Sequence, residues 1–93
     1  MIESYLLEEL SVFAQTGTLT KTATQLNVTQ PSVTRGMQKL EDEFGVQLFE
    51  RQANHIQLTP TGVLAAEEAT KLLKLNTAMI TKVQNYDQGQ HLT

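Results

Sequence analysis

The chain has 93 residues, a formal net charge of −3 and no cysteine. This length predicts one small domain with at most an appendage, and the lack of thiols excludes disulfide bridges and thiolate zinc sites. No apolar run approaches the ~20 residues of a membrane-spanning helix. The acidic start of the chain lacks the basic segment of a secretory signal, so we expect a cytoplasmic protein without a membrane contact.

Two helices are predicted at the start of the chain. Apolar residues recur every three or four positions over residues 2–14, which indicates a helix that Gly17 ends. Thr18 can cap a second helix, Leu19–Leu26, because a threonine hydroxyl accepts the free backbone N–H groups of a first helical turn. Asn27 begins the turn that follows.

A third helix is predicted from Gln30 to Phe44. Thr29 is its expected N-cap, and a proline is tolerated in a first turn because the missing N–H has no partner there. Gly45 ends it. We expect Gly36 to allow close packing against the second helix. The predicted core face consists of Val33, Met37, Leu40 and Phe44.

A small hairpin and a long helix are predicted next. The segments VQLFE and HIQLT flank the polar link RQAN, and the second segment alternates with the period of a strand. Thr59 and Pro60 then begin a helix that continues to about Asn85, and residues 87–93 are expected to form a disordered tail. The predicted fold class is therefore mainly α, a winged helix-turn-helix of three helices and a β-hairpin wing followed by a long linker helix.

The outward face of the third helix has hydrogen-bonding and cationic side chains up to Lys39, and acidic residues begin only at Glu41. In helix-turn-helix proteins the N-terminal part of such a helix enters the major groove. Arginine can bind guanine through two acceptors, glutamine can pair with adenine, and threonine or proline can contact the thymine methyl group. An ordinary solvated helix face is the alternative. We expect base contacts from Gln30, Pro31, Ser32, Thr34 and Arg35.

The distribution of charge favours a local contact with phosphates. Residues 10–40 contain three cations and no acid, so this segment carries +3 and the rest of the chain −6. So few cations predict weak non-specific binding. His55 is equally compatible with an exposed polar loop. The residues expected beside the DNA backbone are Thr18, Thr20, Lys21, Thr29, Gln38 and Lys39, with Asn54 and His55 in the hairpin.

The segment ATQLNVTQPSVTRGMQKLEDEFGVQLFER, followed by LTPTG, resembles the DNA-binding domain of LysR-type transcriptional regulators over about residues 1–62. The resemblance implies bacterial transcription control by dimers or tetramers on interrupted dyad sites, the same five base-contacting residues, and a backbone contact from Arg51 in the wing. The chain departs from the family at residues 52–55, where basic residues are usual, and at Thr22 and Thr24, which lower helix propensity. The family's effector-binding domain is expected to be absent from this chain.

The long helix carries an apolar stripe that is wider than one small domain needs to cover. We expect it to join two copies of the chain, and the family resemblance implies an antiparallel pair. Packing against its own domain is the alternative and applies best to the first turns. The expected organisation is a DNA-binding domain over residues 1–59 and a dimerisation helix over residues 60–86. The expected interface is formed by Ala65, Ala69, Leu72, Leu73, Asn76, Met79, Ile80 and Val83.

No pattern in the sequence predicts an enzyme, a cofactor, a metal site or a small-molecule site. His55 and His91 are far apart, and neither a Ser/His/Asp arrangement nor a phosphate-binding loop is present. The expected partners are therefore double-stranded DNA and a second copy of the chain. A winged helix that binds another protein, without DNA, is the main alternative, and the acidic net charge favours it.

Overall fold

The computed structural model describes residues 1–90, which form four α-helices and a two-stranded antiparallel hairpin. The order and topology are those of the predicted winged helix-turn-helix. None of these helices is long and apolar enough to cross a membrane. In chain order the elements are α1 Ser4–Thr16, α2 Leu19–Leu26, α3 Gln30–Phe44, β1 Phe49–Arg51, β2 Ile56–Leu58 and α4 Pro60–Asn85.

Local capping signals define the helix ends. The hydroxyl oxygens of Thr18, Thr29 and Thr59 accept the backbone N–H three residues later, at 3.1, 3.2 and 2.9 Å, so each begins a helix as expected. The bounds predicted for α2 and α3 are confirmed. Helix α1 begins at Ser4, two residues after the start of the apolar pattern, because Glu3 still has extended backbone angles. Gly17 (φ 80°) ends the helix as predicted.

Helix α1 forms the centre of the core, where α2, α3 and α4 all pack against it. Leu10, Leu40 and Leu48 are fully buried there. The rings of Phe13 and Phe49 meet edge to face with their centroids 5.8 Å apart, which attaches the hairpin to α1.

Phe44 does not face the core as predicted. Its side chain is 40% exposed, because the last turn of α3 extends past the edge of the core. It lines an apolar surface groove together with Ile2, Leu7 and Leu72.

Gly36 packs against α1, and the prediction that it packs against α2 is wrong. A Cβ atom at this position would overlap Oε1 of Glu9 and lie 3.2 Å from Cδ2 of Leu6. The glycine therefore makes room for a carboxyl group between α1 and α3. Glu9 is only 4% exposed, and its Oε1 has no hydrogen-bond partner among the described residues.

The start of α4 belongs to the core of the domain. Ala65, Ala66 and Ala69 are buried, and Ser11 of α1 forms a 2.7 Å hydroxyl–hydroxyl hydrogen bond with Thr70 of α4. Ala65 and Ala69 were expected at a dimer interface, whereas their side chains are covered by their own domain because these turns of α4 lie across α1. The core thus extends beyond the expected domain boundary at residue 59.

The chain stays helical after α4. Residues Tyr86–Gln90 form a π-helical turn, whereas we expected disorder from residue 87. Tyr86 keeps right-handed helical angles and its N–H bonds back to α4, and the first residue outside the helical region is Gly89 (φ 89°). The rest of the expected tail, including His91, lies outside the described residues.

Candidate nucleic-acid interface

The first turns of α3 present all five residues that were predicted to contact bases. Gln30, Pro31 and Arg35 are exposed, and Ser32 and Thr34 are half-buried. The core side of the same helix is closed by buried apolar residues, so α3 is fixed with its polar face outward. The geometry therefore brings the predicted base contacts together on one surface.

The turn between α2 and α3 is held by Asn27, which adopts left-handed backbone angles (φ 58°, ψ 46°). Asparagine tolerates this region better than most residues, and its N–H bonds to carbonyl oxygens of α2. The turn places the start of α2 beside the start of α3. As a result, Nε2 of Gln30 donates a hydrogen bond of 3.0 Å to Oγ1 of Thr20.

The start of α2 and the cap of α3 carry four of the residues predicted beside the DNA backbone. Thr18, Thr20, Lys21 and Thr29 are all exposed. The oxygen atoms of Thr18 and Thr29 accept helix-capping bonds, which leaves each hydroxyl proton free to be donated outward.

Thr22 has a structural role that the sequence did not reveal. It is fully buried, donates a 2.7 Å hydrogen bond to the carbonyl oxygen of Thr18 and shares a 2.9 Å hydroxyl bond with Thr16. The expectation that it only lowers helix propensity is therefore incomplete, because it joins the end of α1 to the start of α2.

A cleft of about 200 Å³ separates α3 from the hairpin. Arg35 and Gln38 of α3 and Arg51 of β1 all line it, so one cation from the helix and one from the wing face the same space. The side chain of Gln38 donates to Asp42 along the helix at 3.3 Å. Lys39 points away toward α1, where its Nζ lies 3.5 Å from the hydroxyl of Tyr5.

The wing is a short hairpin in which Arg51 pairs with Ile56. Arg51 was expected in the polar link, whereas it ends β1. The link itself is residues 52–55, closed by a 2.7 Å hydrogen bond from the N–H of Gln52 to the carbonyl of His55. Asn54 and His55 are exposed in this loop, as a backbone contact would require.

Glu41 fixes the base of the wing to α3. Its Oε2 accepts the backbone N–H groups of Leu48 and Phe49 at 2.9 and 3.1 Å. The sequence suggested only an acidic cluster where α3 ends. One signal in the sequence could have indicated this role. Glu41 follows Met37 by one helical turn, and Met37 is buried, so Glu41 lies at the edge of the core face of α3.

A second carboxyl group, Glu9, lies beneath α3. Burial raises its pKa from 4.5 to about 7, and the positive charge of Lys39 opposes this increase. Sequence reasoning missed this residue, although its spacing from Leu6 and Phe13 places it on the apolar face of α1.

Among residues 1–90, no three His, Asp or Glu side chains lie together in a way that would hold a metal ion. His55, the one histidine in this part of the chain, is exposed in the wing.

Comparison with known proteins identifies similar sequences throughout the helix-turn-helix region. Residues 6–63 match the family described as "Bacterial regulatory helix-turn-helix protein, lysR family". The chain is 36% identical over 77 residues to the HTH-type transcriptional regulator TfdS of Cupriavidus pinatubonensis, which covers 83% of this chain and 26% of TfdS. It is 42% identical over 62 residues to TcbR of Pseudomonas sp., covering 67% of this chain and 21% of TcbR. The chain thus spans about a quarter of the length of these relatives.

Solved structures show the same architecture. The CbnR_DBD-DNA complex superposes with a TM-score of 0.86 at 33% identity, covering 91% of this chain and 98% of that one. DarR of Vibrio fischeri in complex with DNA also gives 0.86, at 34% identity, and covers 95% of this chain and 30% of DarR. The similarity therefore extends through the hairpin and into the long helix.

Proposed function

The chain belongs to the LysR family of bacterial regulatory helix-turn-helix proteins, and from this we propose that it binds double-stranded DNA in a sequence-specific manner as part of a transcription regulator. The observation that carries the proposal is the exposed start of α3, where hydrogen-bonding and cationic side chains face away from the core. Structures of similar chains in complex with DNA support it. In this proposal the chain acts in the bacterial cytoplasm and has no catalytic activity.

In this proposal α3 is the recognition helix and lies in the major groove. Arg35 binds a guanine and Gln30 an adenine, while Pro31, Ser32 and Thr34 contact neighbouring base edges. The residues proposed to lie beside the phosphates are Thr18, Thr20 and Lys21 at the cap and first turn of α2, Thr29 at the cap of α3, Gln38 and Lys39 of α3, and Arg51, Asn54 and His55 of the wing.

Replacing Arg35 with alanine tests the groove assignment. A binding selection on random DNA at stated salt first defines the preferred site. We expect Arg35→Ala to weaken binding to that site by about 1–3 kcal/mol, roughly 5- to 150-fold, and to relax the preference at one base pair. Titration of labelled site DNA, with every base pair changed in turn, measures both effects.

The matched control is Lys82→Ala, which removes one positive charge from the last turn of α4, far from α3. It is expected to leave the base preferences unchanged. Equal affinities of Arg35→Ala and the unmodified chain would overturn the groove assignment. A selection that enriches no DNA site at all would instead favour the alternative of a winged helix that binds protein.

We also propose that the exposed part of α4 pairs with α4 of a second copy. Leu72, Met79, Ile80 and Val83 are between 48% and 63% exposed, and with the exposed Asn76 they fall on one side of the helix at 100° per residue. Leu73 is half-buried against the core and borders this side. Ala65 and Ala69 continue the same stripe inside the domain.

The apolar groove beside Phe44 and Leu72 supports the pairing, because it extends the stripe onto the body of the domain. A lone domain of this size buries only about 60% of its unfolded surface, so a partner would add stability. Two copies would place two recognition helices on a dyad-symmetric operator.

The dimer is expected at tens of micromolar in sedimentation equilibrium. Met79→Glu places a charge within the stripe and should weaken association at least about tenfold, since a buried unpaired charge is costly. Thr81→Glu introduces the same charge on the opposite side of α4 and should leave the dimer intact. A monomeric unmodified chain, or equal effects of the two variants, would contradict the proposed interface.

A further inference from the structure

We propose that Thr20 positions Gln30 for base recognition, so that a residue of α2 determines part of the sequence preference of α3. The inference rests on the proposed DNA-binding function. It starts from the 3.0 Å hydrogen bond in which the amide Nε2 of Gln30 donates to Oγ1 of Thr20. Both side chains are exposed, and this bond joins the two helices at the surface where the groove contact is proposed.

The bond fixes which atoms of Gln30 remain available. A glutamine amide has two N–H donors and one carbonyl acceptor, and Thr20 uses one donor. In the proposed arrangement Thr20 accepts the N–H that is trans to Oε1, so the other N–H and the Oε1 atom form an adjacent donor–acceptor pair. Adenine presents the complementary pair in the major groove, the N7 acceptor and the N6 amino donor.

Without this bond the Gln30 side chain would be free to rotate. Gln30 is the first residue of α3, and no other hydrogen bond holds its amide within the described part of the chain. A long side chain that becomes ordered only on binding loses rotamer freedom, and this loss is an entropic cost of binding. The bond to Thr20 orients Gln30 beforehand and so removes part of that cost. Thr20 can still donate its hydroxyl proton to a phosphate, so the positioning role adds to its predicted backbone contact.

Three variants of the whole chain test the role of Thr20. Thr20→Val keeps the shape of the side chain and removes the hydroxyl group, whereas Thr20→Ser keeps the hydroxyl group. Thr24→Val is the matched control, since Thr24 is exposed on α2 and forms no side-chain hydrogen bond within residues 1–90. Each is put through the same selection on random DNA, followed by titration against the preferred site and its single-base variants.

We expect Thr20→Val to lower the preference for adenine at one position about 3- to 10-fold, the size of one ordinary hydrogen bond, with the other positions unchanged. Thr20→Ser should restore the preference and Thr24→Val should not alter it. In a double-mutant cycle with Gln30→Ala, the effect of Thr20→Val on this preference should vanish, because the two residues act as one unit.

A uniform loss of affinity without a change in base preference would assign Thr20 to the phosphates alone and overturn the inference. An unchanged preference and affinity in Thr20→Val would also overturn it, with the proposed function intact. If the unmodified chain selects no sequence at all, the proposed function fails, and this inference fails with it.

Discussion

Between pH 4.5 and about pH 8 the chain is expected to lose about 3 kcal/mol of its free energy of unfolding through Glu9, and Glu9→Gln should abolish this contribution. The carboxyl group lies between α1 and α3 with an unpaired Oε1. Burial favours its neutral form and raises the pKa from 4.5 to about 7; Lys39 of α3 is the charged group that opposes this.

The direction follows from proton binding. Below pH 4.5 Glu9 is protonated in both the folded and the unfolded chain, so its stabilising contribution is fully present. Between pH 4.5 and 7 the folded chain keeps a proton that the unfolded chain has lost, and stability therefore falls as the pH rises. As the pH rises through about 7 the folded chain loses this proton as well, and above about pH 8 the loss levels off.

Urea unfolding at a series of pH values and one fixed protein concentration measures this effect, since the proposed dimerisation would make stability depend on concentration. Glu8→Gln is the matched control, because Glu8 is the exposed neighbour on the same helix and its replacement removes the same charge. Parallel stability curves for the unmodified chain and Glu9→Gln would show that Glu9 titrates normally in the folded state.

Gly62→Ala is expected to destabilise the chain by about 3 kcal/mol, even though alanine favours a helix by about 1 kcal/mol over glycine. The added Cβ would overlap the backbone carbonyl oxygen of Leu48 and approach the side chain of Leu58 to 3.1 Å. The Leu48 carbonyl accepts the N–H of Thr59 at 2.9 Å, and the N–H of Leu48 donates to Glu41. This peptide segment therefore cannot move without breaking those bonds.

Gly36→Ala is the informative comparison for Gly62→Ala. Its Cβ would meet mainly the end of the Glu9 side chain, which can rotate away, and we expect a change within about 1 kcal/mol. Chemical denaturation of both variants separates the two cases. Equal losses would mean that the Leu48 carbonyl is no more rigid than the Glu9 carboxyl group.

The helix ends could be predicted because their signals are local. A helix begins at a threonine before a proline-containing first turn, as at Thr29 and Thr59, and ends at a glycine after its last turn, as at Gly45. These signals depend only on the geometry of the adjacent backbone. The exposed face of α3 could be predicted for the same reason, since helical periodicity alone separates Arg35 from the buried Met37.

The remaining features depend on contacts between elements. Gly36 contacts α1 and Ala69 faces its own domain because of the way the helices cross in the folded chain. The periodicity of a sequence gives the faces of a helix but not the neighbour that each face meets. The same holds for Glu41, whose hydrogen bonds reach seven and eight residues ahead. The bond between Thr20 and Gln30 likewise requires the turn geometry of Asn27.

The attachment of α4 has a mechanical consequence. Beyond Leu73, which is half-buried against the core, the helix continues to Asn85 as an arm about 18 Å long, at 1.5 Å per residue. A tilt of about 10° at its base would move the far end by about 3 Å, close to the 3.4 Å between successive base pairs. In a dimer joined through this arm, the rigidity of the alanine-lined joint with α1 would set how precisely two half-sites must be spaced on DNA.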